Sequence, residues 1–396
     1  MRVDDIHSVA AMRAAARRRL PKVVFDFVDG GATRENTLRD NEEAFSRWQF
    51  IPRVARDTTK VDVSVQAAGS KWSMPLGIAP TGLAGLLRPD GEILLAKAAA
   101  RFGVPFCLST MSVAPMEDVA RGAPDCDLWF QLYIITDREK TASLLHRAQA
   151  VGCKTLCLAL DQPAHGKRWR DLENGWRLPL RKDVRTFMDF ATHPSWSLSA
   201  LFNPVRFGNI DNTQGSFLRS AKKAGHSFDA SVTWDDVEAI RAQWKGKLIL
   251  KGLLSGEDVQ HAHEVGADGV IVSNHGGRQL DDVPASIDAL DAIRQQAGSS
   301  PRLLMDGGVR TGTDILKAVA IGASACMVGR PTLWGLAVGG QAGAERVLEI
   351  LRNEFMIAVA IAGVRTLDDA ASLVRRKPAE IHSPNAPAEH HDSRGG

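Results

Sequence analysis

Eight short apolar runs, each of strand length, constrain this chain more than any other feature: LGIAP (76–80), PFCLST (105–110), LWFQLY (128–133), TLCLAL (155–160), KLILKG (247–252), GVIVSN (269–274), LLMDGG (303–308) and ACMVGR (325–330). Their hydrophobicity is continuous rather than alternating, which implies strands buried on both faces and hence a parallel sheet. Between most of them lies a helical stretch closed by glycine: GEILLAKAAARFG, DREKTASLLHRAQAVG, SGEDVQHAHEVG, SIDALDAIRQQAG and GTDILKAVAIG. The first residues of successive runs are 29, 23, 27, 92, 22, 34 and 22 apart. Six of these intervals fit one βα unit, and the fourth carries roughly 65 additional residues. The predicted fold is therefore α/β, a TIM (β/α)8 barrel.

The rest of the chain is arranged around that barrel. Residues 1–70 read as an N-terminal helical cap over one barrel end, and 71–367 as the barrel itself. The stretch 162–232, rich in Pro, Gly, Asn and Ser with scattered aromatics such as Trp196, Phe202 and Phe207, reads as a lid or docking insertion after the fourth strand. Residues 342–363 form the last barrel helix, and 384–396 (PNAPAEHHDSRGG) are expected to be a disordered tail.

Composition excludes several functions. With 49 Lys plus Arg against 46 Asp plus Glu, interleaved and summing to +3, no basic stripe is offered to nucleic acid. The N-terminus lacks a secretory pattern, since Asp4 and Asp5 stand where an n-region is basic and no apolar h-region follows Arg17, Arg18 and Arg19. The longest uncharged stretch, 190–205, is broken by Pro194 and Pro204, so no membrane span is expected. Five cysteines, an odd number set mostly inside apolar runs, read as buried thiols of a reducing, cytoplasmic compartment. Cys153 and Cys157 have no second ligand pair, so no metal site is expected.

A barrel carries its chemistry at the C-terminal ends of its strands. Those ends here hold Pro80, Thr81 and Gly82; Ser109; Gln131 and Tyr133; Asp161; Lys251; Ser273, Asn274, His275 and Arg278; Asp306 to Arg310; and Gly329 with Arg330. DGGVRTGTD and VGRP, after the seventh and eighth runs, combine glycines that admit an anion to the backbone with Arg310 and Arg330, so a phosphorylated cofactor or substrate is expected there. Lys251 ends an apolar strand, where an ammonium costs several kcal/mol unless it meets an anion or a polarised oxygen. It reads as a Schiff-base nucleophile, as a fixed charge beside a cofactor, or as a structural ion pair. Asp161 is suited to hold an imidazole in one tautomer, or to serve as a turn residue before Pro163. In SNHGGRQLD, His275 is followed by two glycines that clear space around it and by Arg278, a pattern favouring a general base beside a carboxylate clamp.

SNHGGRQLD, together with FDFVDGGA, APTGLAGL, LSTMSV, WFQLY, LILKGLL, DGGVRTGTD and VGRP, resembles the FMN-dependent 2-hydroxy acid oxidase and dehydrogenase family, over about 20–367. The resemblance implies FMN across the strand ends, its phosphate near Arg310, Gly329 and Arg330 and its ring against Pro80, Thr81 and Gly82. Ser109 and Gln131 would meet the pyrimidine edge and Lys251 would face N1 and O2, with Ser273, Asp306 and Gly308 completing the surroundings. It also implies oxidation of an L-2-hydroxy acid, lactate- or mandelate-like, to the 2-oxo acid. Arg278 and Arg168 would clamp the carboxylate, and Tyr133 would hydrogen-bond the substrate oxygen. His275, backed by Asp161, would take a proton from the α-carbon or from the hydroxyl, and electrons would leave through flavin N5 to a quinone, another carrier or oxygen. Homo-oligomers, commonly tetramers, are implied by the resemblance alone.

Two positions depart from the family pattern. Phe27 stands where members often have Tyr, losing a hydroxyl contact to the substrate carboxylate that would be worth about 1.5 to 3 kcal/mol. Ala159 stands where Thr is usual near the flavin. Tyr133, the sole tyrosine, falls on the matching active-site position. Met111 suits a roomier pocket than glycolate needs. The apolar part of the insertion, FMDFATHPSWSLSALF, with Arg206, Lys222 and Lys223 beyond it, is compatible with peripheral membrane contact and equally with a soluble lid. The competing functions are a cofactor-free phosphate-binding isomerase or lyase using Lys251, and a flavin-binding protein without turnover.

Overall fold

In the computed structural model every apolar run is a strand, and the eight close into one parallel barrel: β1 Leu76–Ile78, β2 Phe106–Ser109, β3 Leu128–Leu132, β4 Thr155–Ala159, β5 Lys247–Leu253, β6 Gly269–Val272, β7 Leu303–Asp306 and β8 Ala325–Val328. The structure describes residues 2–176, 184–203, 207–210, 229–298 and 302–377. The barrel closes where β8 pairs with β1, Met327 lying opposite Gly77.

The continuous hydrophobicity has a direct cause. Alternate strand residues face two different apolar environments, so neither parity can be polar. Cys107, Trp129, Cys157, Ile249, Ile271, Leu304 and Met327 fill the barrel interior, while their neighbours Leu108, Phe130, Leu156, Leu250, Val270 and Met305 pack outward against the helices. Each such side chain, fully buried, contributes about 1.5 to 3 kcal/mol of hydrophobic stabilisation. The helices begin and end as their sequences dictate. Thr311 caps Gly312–Ile321 by accepting from Asp314 N, and Gly103, at φ +62, ends Gly91–Phe102 in a left-handed turn.

The first 70 residues do not cap one end only; they serve both. Helices Lys22–Asp29 and Asn36–Glu43 lie at the C-terminal end, where Asp281 accepts from Thr33 Oγ1 and from the backbone of Arg34 and Thr37, and where Asn41 and Asn274 exchange reciprocal 2.9 Å amide hydrogen bonds. The hairpin of Val65–Ala67 and Ser70–Trp72 instead seals the N-terminal end. Trp72 packs edge-on against Trp129 at 5.6 Å, Thr155 Oγ1 donates to Ala68 O, and Ser70 Oγ donates to Asp127 at 2.6 Å.

Beyond the last barrel helix, Gln341–Ala362, the strand Val374–Arg376 returns to pair antiparallel with Trp48–Phe50, so the ordered chain runs past the expected barrel limit of 367. The expected disordered tail, 384–396, lies outside the described residues. So do Arg206, Lys222 and Lys223. Within the insertion the described helices are Trp169–Glu173, Val184–Thr192 and Pro194–Phe202. No helix among the described residues is long and apolar enough to cross a membrane.

The hairpin plug generates a test. Trp72 is fully buried, so Trp72→Ala should cost about 3 to 5 kcal/mol, as large aromatic truncations in cores do. The denaturation midpoint measures this, and a loss below about 1 kcal/mol would mean that the hairpin does not seal the barrel.

Candidate active site

The strand ends converge on one cavity of about 620 Å3. Of the residues named from sequence, Phe27, Pro80, Thr81, Gly82, Ser109, Gln131, Tyr133, Arg168, Lys251, His275, Arg278, Asp306, Gly308, Arg310, Gly329 and Arg330 line it. Asp161 and Ser273 do not. Asp161 lies behind His275, as its expected role requires, whereas Ser273 is a correction. Its hydroxyl is fully buried, accepts from Lys251 Nζ at 2.7 Å and from His275 N at 3.0 Å, and so fixes two cavity residues without reaching the cavity.

Lys251 is held as a cation. Burial alone would favour the neutral amine, but Asp306 Oδ2 at 3.1 Å and the charge of Asp161 outweigh it and raise the ammonium above its usual range. A Schiff-base nucleophile must be neutral, so this environment disfavours the lyase alternative.

His275 sits at φ +58, a left-handed backbone rarely used by residues other than glycine. Its Nδ1 lies 3.0 Å from each oxygen of Asp161, and its Nε2 lies 3.4 Å from Tyr133 Oη. Burial pushes Asp161 up, but the charges of His275 and Lys251 prevail and hold its carboxyl below the usual value, so it stays an anion. Gly252, at φ +97, makes the contact possible: a Cβ there would stand 2.5 Å from the Asp161 side chain. Burial, then the Asp161 charge, push the Tyr133 phenol well above its usual range and keep its proton in place.

The two glycines after His275 have a different reason from the one expected. A Cβ on Gly276 would meet Arg330 Nη1 at 2.7 Å, and one on Gly277 would meet Leu38 N at 2.6 Å. They admit a guanidinium and the N-terminal segment, rather than only clearing space around the imidazole. Arg330 uses that approach, donating to Val28 O, Gly276 O and Gly30 O, and its burial, followed by the charge of Arg310, lowers it to about 10.

Several buried polar atoms on the cavity wall have no hydrogen-bond partner among the described residues: Gln131 Nε2, Arg310 Nε and Asp306 Oδ1. Orphans of this kind mark places where a ligand completes the set. The Gln131 amide donor beside Ser109, the Lys251 ammonium, and the Arg310 guanidinium near Gly307 and Gly308 fit a planar heterocycle carrying a phosphate. The residues present therefore suit FMN.

The roof comes from far away in sequence. Phe27 stacks on Trp176 at 4.2 Å, with the guanidinium carbons of Arg278 and Arg168 at 5.3 and 5.8 Å from its ring centroid. Two helices are locked together to bring these groups in. Arg170 donates to Asp29 at 3.0 Å and also meets Glu35 and Asp26, Arg13 holds Asp29 from the other side at 2.6 and 2.7 Å, and Asn174 bridges Lys22 to Asp26. Trp176, Leu83 and Phe207 form an apolar cluster of their own with Phe27 and Met111. Sequence reasoning noted Phe207 only as a scattered aromatic and missed Trp176, Leu83 and the Arg170 network, because no local period marks a residue that completes a distant wall.

Comparison with known proteins agrees with this geometry. The model of the family described as FMN-dependent dehydrogenase matches residues 16–376. The chain is 41% identical to an L-lactate dehydrogenase of Ectopseudomonas mendocina (strain ymp), covering 91% of this chain and 96% of that one, and 38% identical to an L-lactate dehydrogenase of Alcaligenes faecalis, covering 94% and 100%. Among solved structures, a monotopic membrane (S)-mandelate dehydrogenase superposes with TM-score 0.91 at 37% identity, covering 94% of this chain and 100% of that one. A mandelate oxidase with (S)-4-hydroxymandelic acid superposes with TM-score 0.82 at 35% identity, covering 94% and 99%. With the barrel, the paired His275 and Asp161 and the flavin-suited cavity wall already in view, these matches establish that the chain belongs to the FMN-dependent 2-hydroxy acid dehydrogenase and oxidase family.

Proposed function

We propose that the protein oxidises an L-2-hydroxy acid with a bulky apolar side chain to the corresponding 2-oxo acid, with His275 as the base. The observation that carries this reading is the His275 triad: Nδ1 is 3.0 Å from Asp161, and Nε2 is turned to Tyr133 on the cavity wall. An ionised Asp161 accepts the Nδ1 proton, which leaves the Nε2 lone pair facing the cavity, and it stabilises the imidazolium that forms when Nε2 takes the substrate proton. Tyr133, kept protonated, donates to the substrate oxygen. Arg168 and Arg278 bind the carboxylate, Arg through its bidentate fork. Phe27 contributes no hydroxyl to that clamp and instead stacks on Trp176, so the two guanidiniums carry carboxylate binding. FMN, when bound, supplies the two-electron acceptor. Gln131, Ser109, Lys251 and Arg310 would hold it, and Lys251 would place a fixed positive charge against its pyrimidine edge.

The preference for a large side chain rests on the wall of Leu83, Phe207, Met111 and Trp176. A methyl group leaves most of that surface wet, whereas a phenyl ring removes on the order of 100 Å2 from water, about 2.5 kcal/mol at the usual coefficient. The catalytic efficiency kcat/KM for L-mandelate should therefore exceed that for L-lactate by at least roughly tenfold; equal efficiencies would assign the wall no part in selection. His275→Asn should lower kcat by about 10^2 to 10^4 while the protein keeps its yellow colour, and near-normal turnover in that variant would remove His275 from the base role.

The electrons would leave at a lipid surface. Helices Val184–Thr192 and Pro194–Phe202 are anchored inward by Trp196, whose indole donates to Leu86 O, and by Asp189, which accepts from Lys22 N. Outward they expose Val184, Phe187, Met188, Leu198, Leu201 and Phe202, an arrangement suited to lying in a bilayer interface and handing electrons to a quinone. The intact protein should sediment with anionic phospholipid vesicles, and the triple variant Phe187→Ser, Leu201→Ser, Phe202→Ser should stay in solution while still oxidising substrate with a soluble dye. Equal sedimentation of both proteins would contradict the contact.

A further inference from the structure

Asp171 is a buried acid next to the substrate clamp for which the chemistry above has no use. It lies three residues beyond Arg168 in helix Trp169–Glu173 and is 4% exposed. Neither carboxylate oxygen has a hydrogen-bond partner among the described residues, although Oδ2 is 2.9 Å from Arg168 Nε. Natural proteins rarely leave a buried carboxylate so poorly bonded without a reason. The charges around it supply one. Burial raises the Asp171 carboxyl, and the charges that oppose this most are those of Arg168 and Arg278. Arg278 is in turn pushed well below its usual range by burial and by the like charges of Arg168 and Arg330, with Asp171 opposing that shift. Arg168 meets Asp171 through its Nε edge.

We infer that Asp171 is a positioning residue that sets carboxylate affinity: it is the buried counterion of the Arg168 and Arg278 pair, and through these guanidiniums it weakens their hold on substrate and product carboxylates alike. The inference rests on the reading of Arg168 and Arg278 as the carboxylate clamp. Its physical basis is that two guanidiniums packed together, with no anion behind them, would bind any carboxylate strongly. The 2-oxo acid product keeps the same carboxylate as the substrate, so such uniform binding slows release without assisting the reaction. An anion one guanidinium away from the ligand carboxylate offsets part of that attraction, and in a buried site the offset is little screened. A loosely aligned contact suits this role, since it compensates charge without fixing Arg168 by a directional bond.

The test is calorimetric titration of the FMN-loaded protein with benzoate and with its uncharged counterpart benzamide. In Asp171→Asn the benzoate Kd should fall about tenfold or more, by removal of one buried charge, while the benzamide Kd stays within about twofold. Asp171→Ser, smaller and equally uncharged, should show the same selective tightening if the asparagine variant folds poorly, and Asp171→Glu should keep the wild-type values. Unchanged or weaker benzoate binding in both uncharged variants would overturn the inference, as would equal tightening of both ligands. Benzoate binding that survives Arg168→Met and Arg278→Met in the wild-type background would overturn the clamp reading itself, a result separable from any behaviour of Asp171.

Discussion

A lysine ammonium held in the dry end of a barrel is the constraint around which the rest of this site is organised. Lys251 lies two residues before the C-terminal end of β5 with 4% of its side chain exposed, a position that an unpaired charge could not occupy without losing several kcal/mol. Asp306 comes from β7, Ser273 from the loop after β6 and Asp161 from the loop after β4, so compensating one charge ties four strand ends together. The same Ser273 hydroxyl receives His275 N, and the same Asp161 holds His275 Nδ1. His275, the proposed base, is thus positioned by the groups that make the buried cation tolerable. A change at any of them is expected to be felt at the others, as is general for buried networks.

The second level of organisation is the joining of remote segments over that centre. Helix Lys22–Asp29 brings Phe27, and the short helix Trp169–Glu173 brings Arg168 and, just beyond it, Trp176. Arg170 fastens the two through Asp26, Asp29 and Glu35. Three carboxylates around one partly buried guanidinium would repel one another without it, so the link is one in which removal of the cation costs more than the pair contacts suggest. Stacking Phe27 on Trp176 then gives the cavity an apolar roof where a tyrosine hydroxyl would have given a polar one.

The barrel and the strand-end chemistry were legible because both follow from local rules. A parallel strand sandwiched between barrel interior and helices has no polar parity, so runs such as TLCLAL and GVIVSN announce themselves. Reactive groups follow those runs directly, so Lys251, His275, Asp161 and Arg278 could be named from position. The division of residues 1–70 between the two barrel ends was not legible, because Trp72 meets Trp129 and Leu38 meets Gly277 through tertiary packing that has no sequence period. For the same reason Trp176 and Asp171 were invisible. Ser273 was expected among the cofactor's surroundings, but it lies in the loop just after β6, where its hydroxyl turns to Lys251 Nζ and His275 N instead. Gly276 and Gly277 were legible only as residues that clear space around His275, because the groups that approach them, Arg330 and Leu38, come from distant segments.

The most direct test of His275 as a base beside FMN is the anaerobic visible spectrum of the purified, FMN-loaded protein titrated with L-mandelate. Loss of the flavin absorption near 450 nm at one equivalent of substrate, with benzoylformate released in matching amount, is the predicted result. A spectrum that stays oxidised under excess L-mandelate, L-lactate and other L-2-hydroxy acids would contradict it.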